Sequence, residues 1–68
     1  MNLSEAYEAL KRRFKVLVKS SLVIVLACDG GVEVSLFNHG RMLIKNVKDE
    51  KSALTVYNRI IRELGLKL

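Results

Sequence analysis

Leu22-Val23-Ile24-Val25-Leu26-Ala27-Cys28 is an unbroken apolar run in a chain of 68 residues. A β-strand sends alternate side chains to opposite faces, so a strand with no polar position asks for cover on both sides. The rest of the chain holds enough amphipathic helix for one cover. The other face is left for a partner.

Downstream of the run, Asp29-Gly30-Gly31 carries the residues that a tight hairpin needs at positive φ. Val32–Phe37 then alternates cleanly, with Val32, Val34 and Leu36 against Glu33, Ser35 and Phe37. Asn38-His39-Gly40 reads as a type I turn closed by a glycine bulge, and Arg41–Val47 as the returning strand. This loop puts Phe37 opposite Arg41, Ser35 opposite Leu43 and Glu33 opposite Lys45. The other face pairs Leu36 with Met42 and Val34 with Ile44. That uniformly apolar set belongs under the helices. The first strand adds Val23, Val25 and Ala27 to the open face if the Asp29–Gly31 loop has three residues, or Leu22, Ile24 and Leu26 if it has two.

Upstream, Leu3, Tyr7, Leu10, Phe14, Leu17 and Ser21 recur at helical spacing, with Ala6 and Val18 beside the stripe. Asn2 can cap this helix, with Glu5 completing a capping box. Its charges run from Glu5 and Glu8 to Lys11, Arg12, Arg13, Lys15 and Lys19, an order that suits the helix dipole. The spacing predicts a helix from about residue 3 to about residue 19. A competing reading ends it near Arg13 and makes Phe14–Lys19 a strand. Val16 and Val18 favour the strand, and Leu17 spoils its alternation. At the other end Asp49 caps a second helix with apolar positions Ala53, Val56, Tyr57, Ile60, Ile61 and Leu64. Gly65 closes it, and Leu66 can pack back on the last turn. The expected fold is a single two-layer α+β domain over residues 1–68. Its order is α-β-β-β-α, an antiparallel three-stranded meander with both helices on one face.

Composition narrows the function. Cys28 and His39 are the only residues of their types, so there is no internal disulfide and no ligand cluster for a metal. Cys28 reads as a small apolar residue at a strand end and His39 as a turn residue. Asp49-Glu50 opens a helix, and Gly30-Gly31 joins two strands rather than cradling a phosphate. No catalytic constellation, cofactor motif or small-molecule site emerges, so the expected function is non-enzymatic. The start of the chain does not resemble a signal peptide, and the apolar run is far short of the roughly 20 residues that span a bilayer. A reduced, cytoplasmic protein that does not enter membranes is expected. Abundant Lys and Arg, with neither proline nor glutamine, suit a thermophile.

The expected contact surface is the open sheet face, with Phe37, Leu43 and Val47 among Arg41 and Lys45. The partner is a second copy or another protein. The alternative is nucleic acid. The net charge is +5, and Lys11, Arg12, Arg13, Lys15 and Lys19 crowd the second half of the expected first helix. Arg59 and Arg62 lie on the polar side of the second helix.

From Val32 onward, Glu33-Val34-Ser35-Leu36-Phe37-Asn38-His39-Gly40-Arg41-Met42-Leu43-Ile44-Lys45-Asn46-Val47-Lys48-Asp49-Glu50, with Ala53 and Tyr57, resembles the carboxy-terminal tail of the ThiF/HesA/MoeB adenylyltransferases. Those enzymes activate ubiquitin-like sulfur carriers. The resemblance covers about half the chain and includes none of the family's nucleotide loop, zinc cysteines or activation domain. It implies a free-standing accessory or docking module. The same stretch is similar to half of a TATA-binding-protein repeat, in which an open sheet face meets DNA.

Overall fold

The computed structural model describes residues 2–65, and the expected packing of Leu66 lies outside the described residues. Helix α1 (Leu3–Leu10) is followed by strands β1 (Lys15–Lys19) and β2 (Val23–Ala27). A short 3-10 turn at Asp29–Gly31 leads to β3 (Glu33–Phe37), β4 (Met42–Lys45) and helix α2 (Glu50–Glu63). The strands form one antiparallel sheet in the order β1-β2-β3-β4. The fold is α+β, as expected, but the meander has four strands rather than three.

The difference lies in the first helix, which stops at Leu10 and not near residue 19. Its last turn closes with Lys11 N–H donating to Tyr7 O at 2.9 Å and Phe14 N–H donating to Leu10 O at 3.0 Å. A helix running to residue 19 would leave β2, the most apolar strand, at the sheet edge. Its outward N–H and C=O groups would have only water as partners there, on an apolar edge open to pairing with other chains. β1 supplies backbone partners instead. Leu17 stops being an obstacle because it is the extra residue of a β-bulge. Val16 pairs with Leu26 and Val18 with Val25, so Leu17 adds a residue on one side only and alternation resumes after it. Ser20 fastens the hairpin that follows: its Oγ accepts from Leu22 N–H and Val23 N–H at 3.2 and 3.1 Å.

The remaining register matches the alternation read from sequence. Glu33 faces Lys45, Val34 faces Ile44, Ser35 faces Leu43 and Leu36 faces Met42. Between β2 and β3 the loop has three residues. Ala27 faces Glu33, and Cys28 N–H donates to Val32 O at 2.7 Å. Gly30 and Gly31 both sit near φ +75°, at 74° and 79°, which explains the paired glycines.

Both helices lie against the same face. Leu3, Ala6 and Leu10 of α1 and Ile60 of α2 form one cluster with Ile24, Leu26, Val34 and Leu36 of the sheet, joined by Phe14. Leu10, Ile24, Leu26, Val34 and Ile60 have no exposed surface. Ile24→Ala or Ile60→Ala should therefore cost about 2–5 kcal/mol in urea denaturation. Leu54→Ala, on the outer side of α2 at 58% exposure, should change stability by less than about 0.5 kcal/mol. Equal costs at the buried and exposed positions would contradict this core.

Each helix starts with a side-chain cap. Asn2 Oδ1 accepts from Ser4 N–H and Glu5 N–H at 2.9 and 3.2 Å. Asp49 Oδ1 accepts from Ser52 N–H at 2.7 Å. That backbone N–H, and after it the Ser52 hydroxyl, hold the Asp49 carboxyl below its ordinary range. A carboxyl lowered in the folded state contributes stability above its unfolded pKa and loses it as pH falls through the folded value. Asp49→Ala should lower the melting temperature at pH 6, and the gap from the parent chain should close as pH falls below about 4. A gap that stays constant to pH 2 in thermal circular dichroism would assign the loss to something other than the ionised cap.

Candidate functional site

The sheet face away from the helices is built by the alternation of β1 to β4. Its first row runs Lys15, Ala27, Glu33, Lys45 across the strands. Its second runs Val18, Val25, Ser35, Leu43. Its third places Val23 beside Phe37. Phe37 N–H donates to Arg41 O at 2.8 Å, and Ser20 N–H donates to Val23 O at 3.0 Å, which extends this row to both edges. Val18 and Leu43 remain 48% and 46% exposed, and Leu17 in the bulge 47%. Among the described residues no helix covers this face, because Leu3, Ala6, Leu10 and Ile60 all pack on the other one.

Phe37, Leu43, Arg41 and Lys45 thus share one surface, as their sequence positions suggested. Val47 does not join them. β4 ends at Lys45, and Asn46 adopts φ 63°, which turns the chain toward the helical layer. Asn46 Nδ2 donates to Gly31 O at 3.4 Å and ties this corner to the β2–β3 loop. Val47 instead lines a cleft of about 370 Å³ with Cys28, Val32, Thr55, Val56 and Arg59. Burial pushes the Cys28 thiol up, against a smaller opposing pull from Arg59. The protonated thiol packs against the core as a small apolar group.

The basic residues assigned to the first helix are dispersed, because α1 ends before all of them. Lys11 Nζ lies 2.8 Å from Glu8 Oε1 and 5.5 Å from the Tyr7 ring centre. Their hydrogen bond raises the Lys11 pKa and lowers that of Glu8. Arg12 is exposed in the turn. Arg13 Nε approaches Glu63 Oε1 at 3.7 Å, near Arg59 and Arg62, so this arginine sits by the end of α2. Lys15 stands on the open sheet face. Lys19, paired with Ile24, stands on the other face with its Nζ 4.2 Å from the Tyr7 ring centre. The five cations do not form one surface.

Lys15 and Val18 are the open-face residues that the helical reading hid, with Leu17 exposed in the bulge between Val16 and Val18. The signal was present in the two β-branched valines at Val16 and Val18 followed by Ser20-Ser21. At the Arg41 corner, the Phe37 and His39 rings stack 5.7 Å apart with an 11° interplanar angle. Among the described residues there is no group of three or more His, Cys, Asp or Glu arranged to hold a metal ion. Among them, too, no helix is long and apolar enough to cross a membrane. Comparison with protein-family models, curated proteins and solved structures gives no match to this chain.

Proposed function

We propose that this chain is a non-enzymatic protein-interaction module that docks through its open sheet face. The observation that carries the reading is the placement of both helices on one face while Val18, Val25, Phe37 and Leu43 stand on the other. Four strands about 4.8 Å apart, each about five residues long, outline roughly 300 Å². The apolar residues of this face stand at the centre with polar and charged residues at the rim, the pattern of a contact site. Docking by an added strand is less favoured. β1 is bulged and carries Lys15 and Lys19, and β4 is short, follows Arg41 and ends in Lys45. Bulges, short edges and lysines all discourage edge pairing. The likeness of the second half of the chain to adenylyltransferase tails fits a docking role, with sulfur-carrier activation as one setting for it. The occupant is a second copy or another protein, and the charges at the rim of the face choose between them.

The test is a comparison of Leu43→Lys with Leu54→Lys, two exposed leucines on opposite layers. Light scattering on the purified chain and affinity capture from cells expressing it should reveal a stoichiometric complex, with itself or with another chain. Leu43→Lys should abolish that complex and Leu54→Lys should keep it, with both variants melting near the parent. A complex indifferent to Leu43→Lys would overturn the reading.

Nucleic-acid binding is the second reading, favoured by the Phe37–His39 stack beside Arg41, with Lys45 on the same strand. It expects oligonucleotide affinity that falls steeply with salt. Fluorescence anisotropy with DNA and RNA oligomers at low salt should show that binding, and a flat titration removes this reading.

A further inference from the structure

The sign of the rim selects the occupant of the open face, an inference that rests on the docking reading above. We propose that this face receives another protein surface with an apolar centre and carboxylates at its rim. Its own cations prevent it from stacking on a second copy.

The open face has four corners. Lys15 and Lys45 end the first row, and Arg41 and the Ser20 edge end the third. Three of these corners are cationic. A two-fold axis through the middle of this face, which gives the largest overlap with a copy, maps four corners onto four corners. At most one cation of each copy can land on the Ser20 corner, so cations must stand over cations in every such arrangement, aligned or orthogonal. Packed sheets lie about 10 Å apart, so long basic side chains from both copies meet within about one Debye length. Glu33, directly opposite Lys45 on the neighbouring strand, is the one carboxylate of the three rows and cannot offset all three.

Magnitude decides whether this matters. The face outlines roughly 300 Å² in projection, a small footprint beside interfaces that bury about 800 Å² of accessible surface on each partner. The apolar centre alone is too small to override a mismatched rim, whereas a rim of opposite sign adds attraction at every corner. Protein is favoured over nucleic acid because the middle row is Val18, Val25, Ser35 and Leu43. These residues offer no ring on which bases could stack.

A charge-reversed copy carrying Lys15→Glu, Arg41→Glu and Lys45→Glu supplies the stated partner chemistry on a known scaffold. Circular dichroism establishes its folding, and Lys15→Glu/Lys45→Glu replaces it if the triple variant does not fold. Light scattering and native mass spectrometry should find each chain monomeric alone and a 1:1 complex on mixing. That complex should weaken about tenfold or more between low and high salt, and Leu43→Lys in the parent chain should abolish it. If the parent chain self-associates through Leu43 as tightly as it binds the reversed copy, the occupant is a second copy. The proposal then fails while the docking reading stands. If the mixture forms no complex, the proposal fails, and the docking reading fails with it only if no complex sensitive to Leu43→Lys is captured from cells either. Binding of a single-stranded DNA oligomer more tightly than the reversed copy, lost on charge reversal, would assign the cations to phosphate and overturn the proposal.

Discussion

Residues Val23–Ala27 carry apolar side chains toward both layers, and the helices reach only one of them. This asymmetry governs the rest of the molecule. The strand must sit inside the sheet, because an apolar edge strand with unpaired backbone would be both unstable and adhesive. β1 and β3 flank it and satisfy its backbone on both sides. Ile24 and Leu26 then anchor the core beneath α1 and α2, while Val23, Val25 and Ala27 form part of the face that no segment of the described chain covers.

The same constraint explains the fate of the first apolar stripe. Leu3, Ala6, Leu10 and Phe14 all reach the core, so the stripe is real as far as Phe14. Beyond it, hydrogen bonding to β2 outweighs continued helix, and the chain accepts a bulge at Leu17 to keep Val16 inward and Val18 outward. Helical periodicity and bulged alternation are locally similar over six residues. Only the need of β2 for a neighbour separates them, and that need arises from residues further along the chain.

Charge follows from the same rearrangement. A helix to residue 19 would have concentrated five cations on one element. Ending it at Leu10 sends Lys15 to the open face, Lys19 to the Tyr7 ring and Arg13 to Glu63. Lys15 thereby joins Arg41 and Lys45 around an apolar centre, so three of the twelve Lys and Arg of the chain stand at the rim of the open face.

The β2–β3–β4 meander, its turns and its register were legible from sequence. Strict alternation in Glu33–Phe37, paired glycines after Asp29 and the Asn38–Gly40 turn are local signals, and a one-residue slip would have exposed Val34 and Leu36. Asp49 and the apolar positions of α2 were legible for the same reason, as was the membership of Phe37, Arg41, Leu43 and Lys45 in one face. Tertiary structure decided the length of α1, the existence of β1 and the departure of Val47. Each depended on contacts between distant segments: the demand of β2 for a backbone partner, and the left-handed turn at Asn46 fastened to Gly31. Periodicity reports which side of a segment is apolar. It does not report which other segment lacks a hydrogen-bonded neighbour, and that lack built the fourth strand.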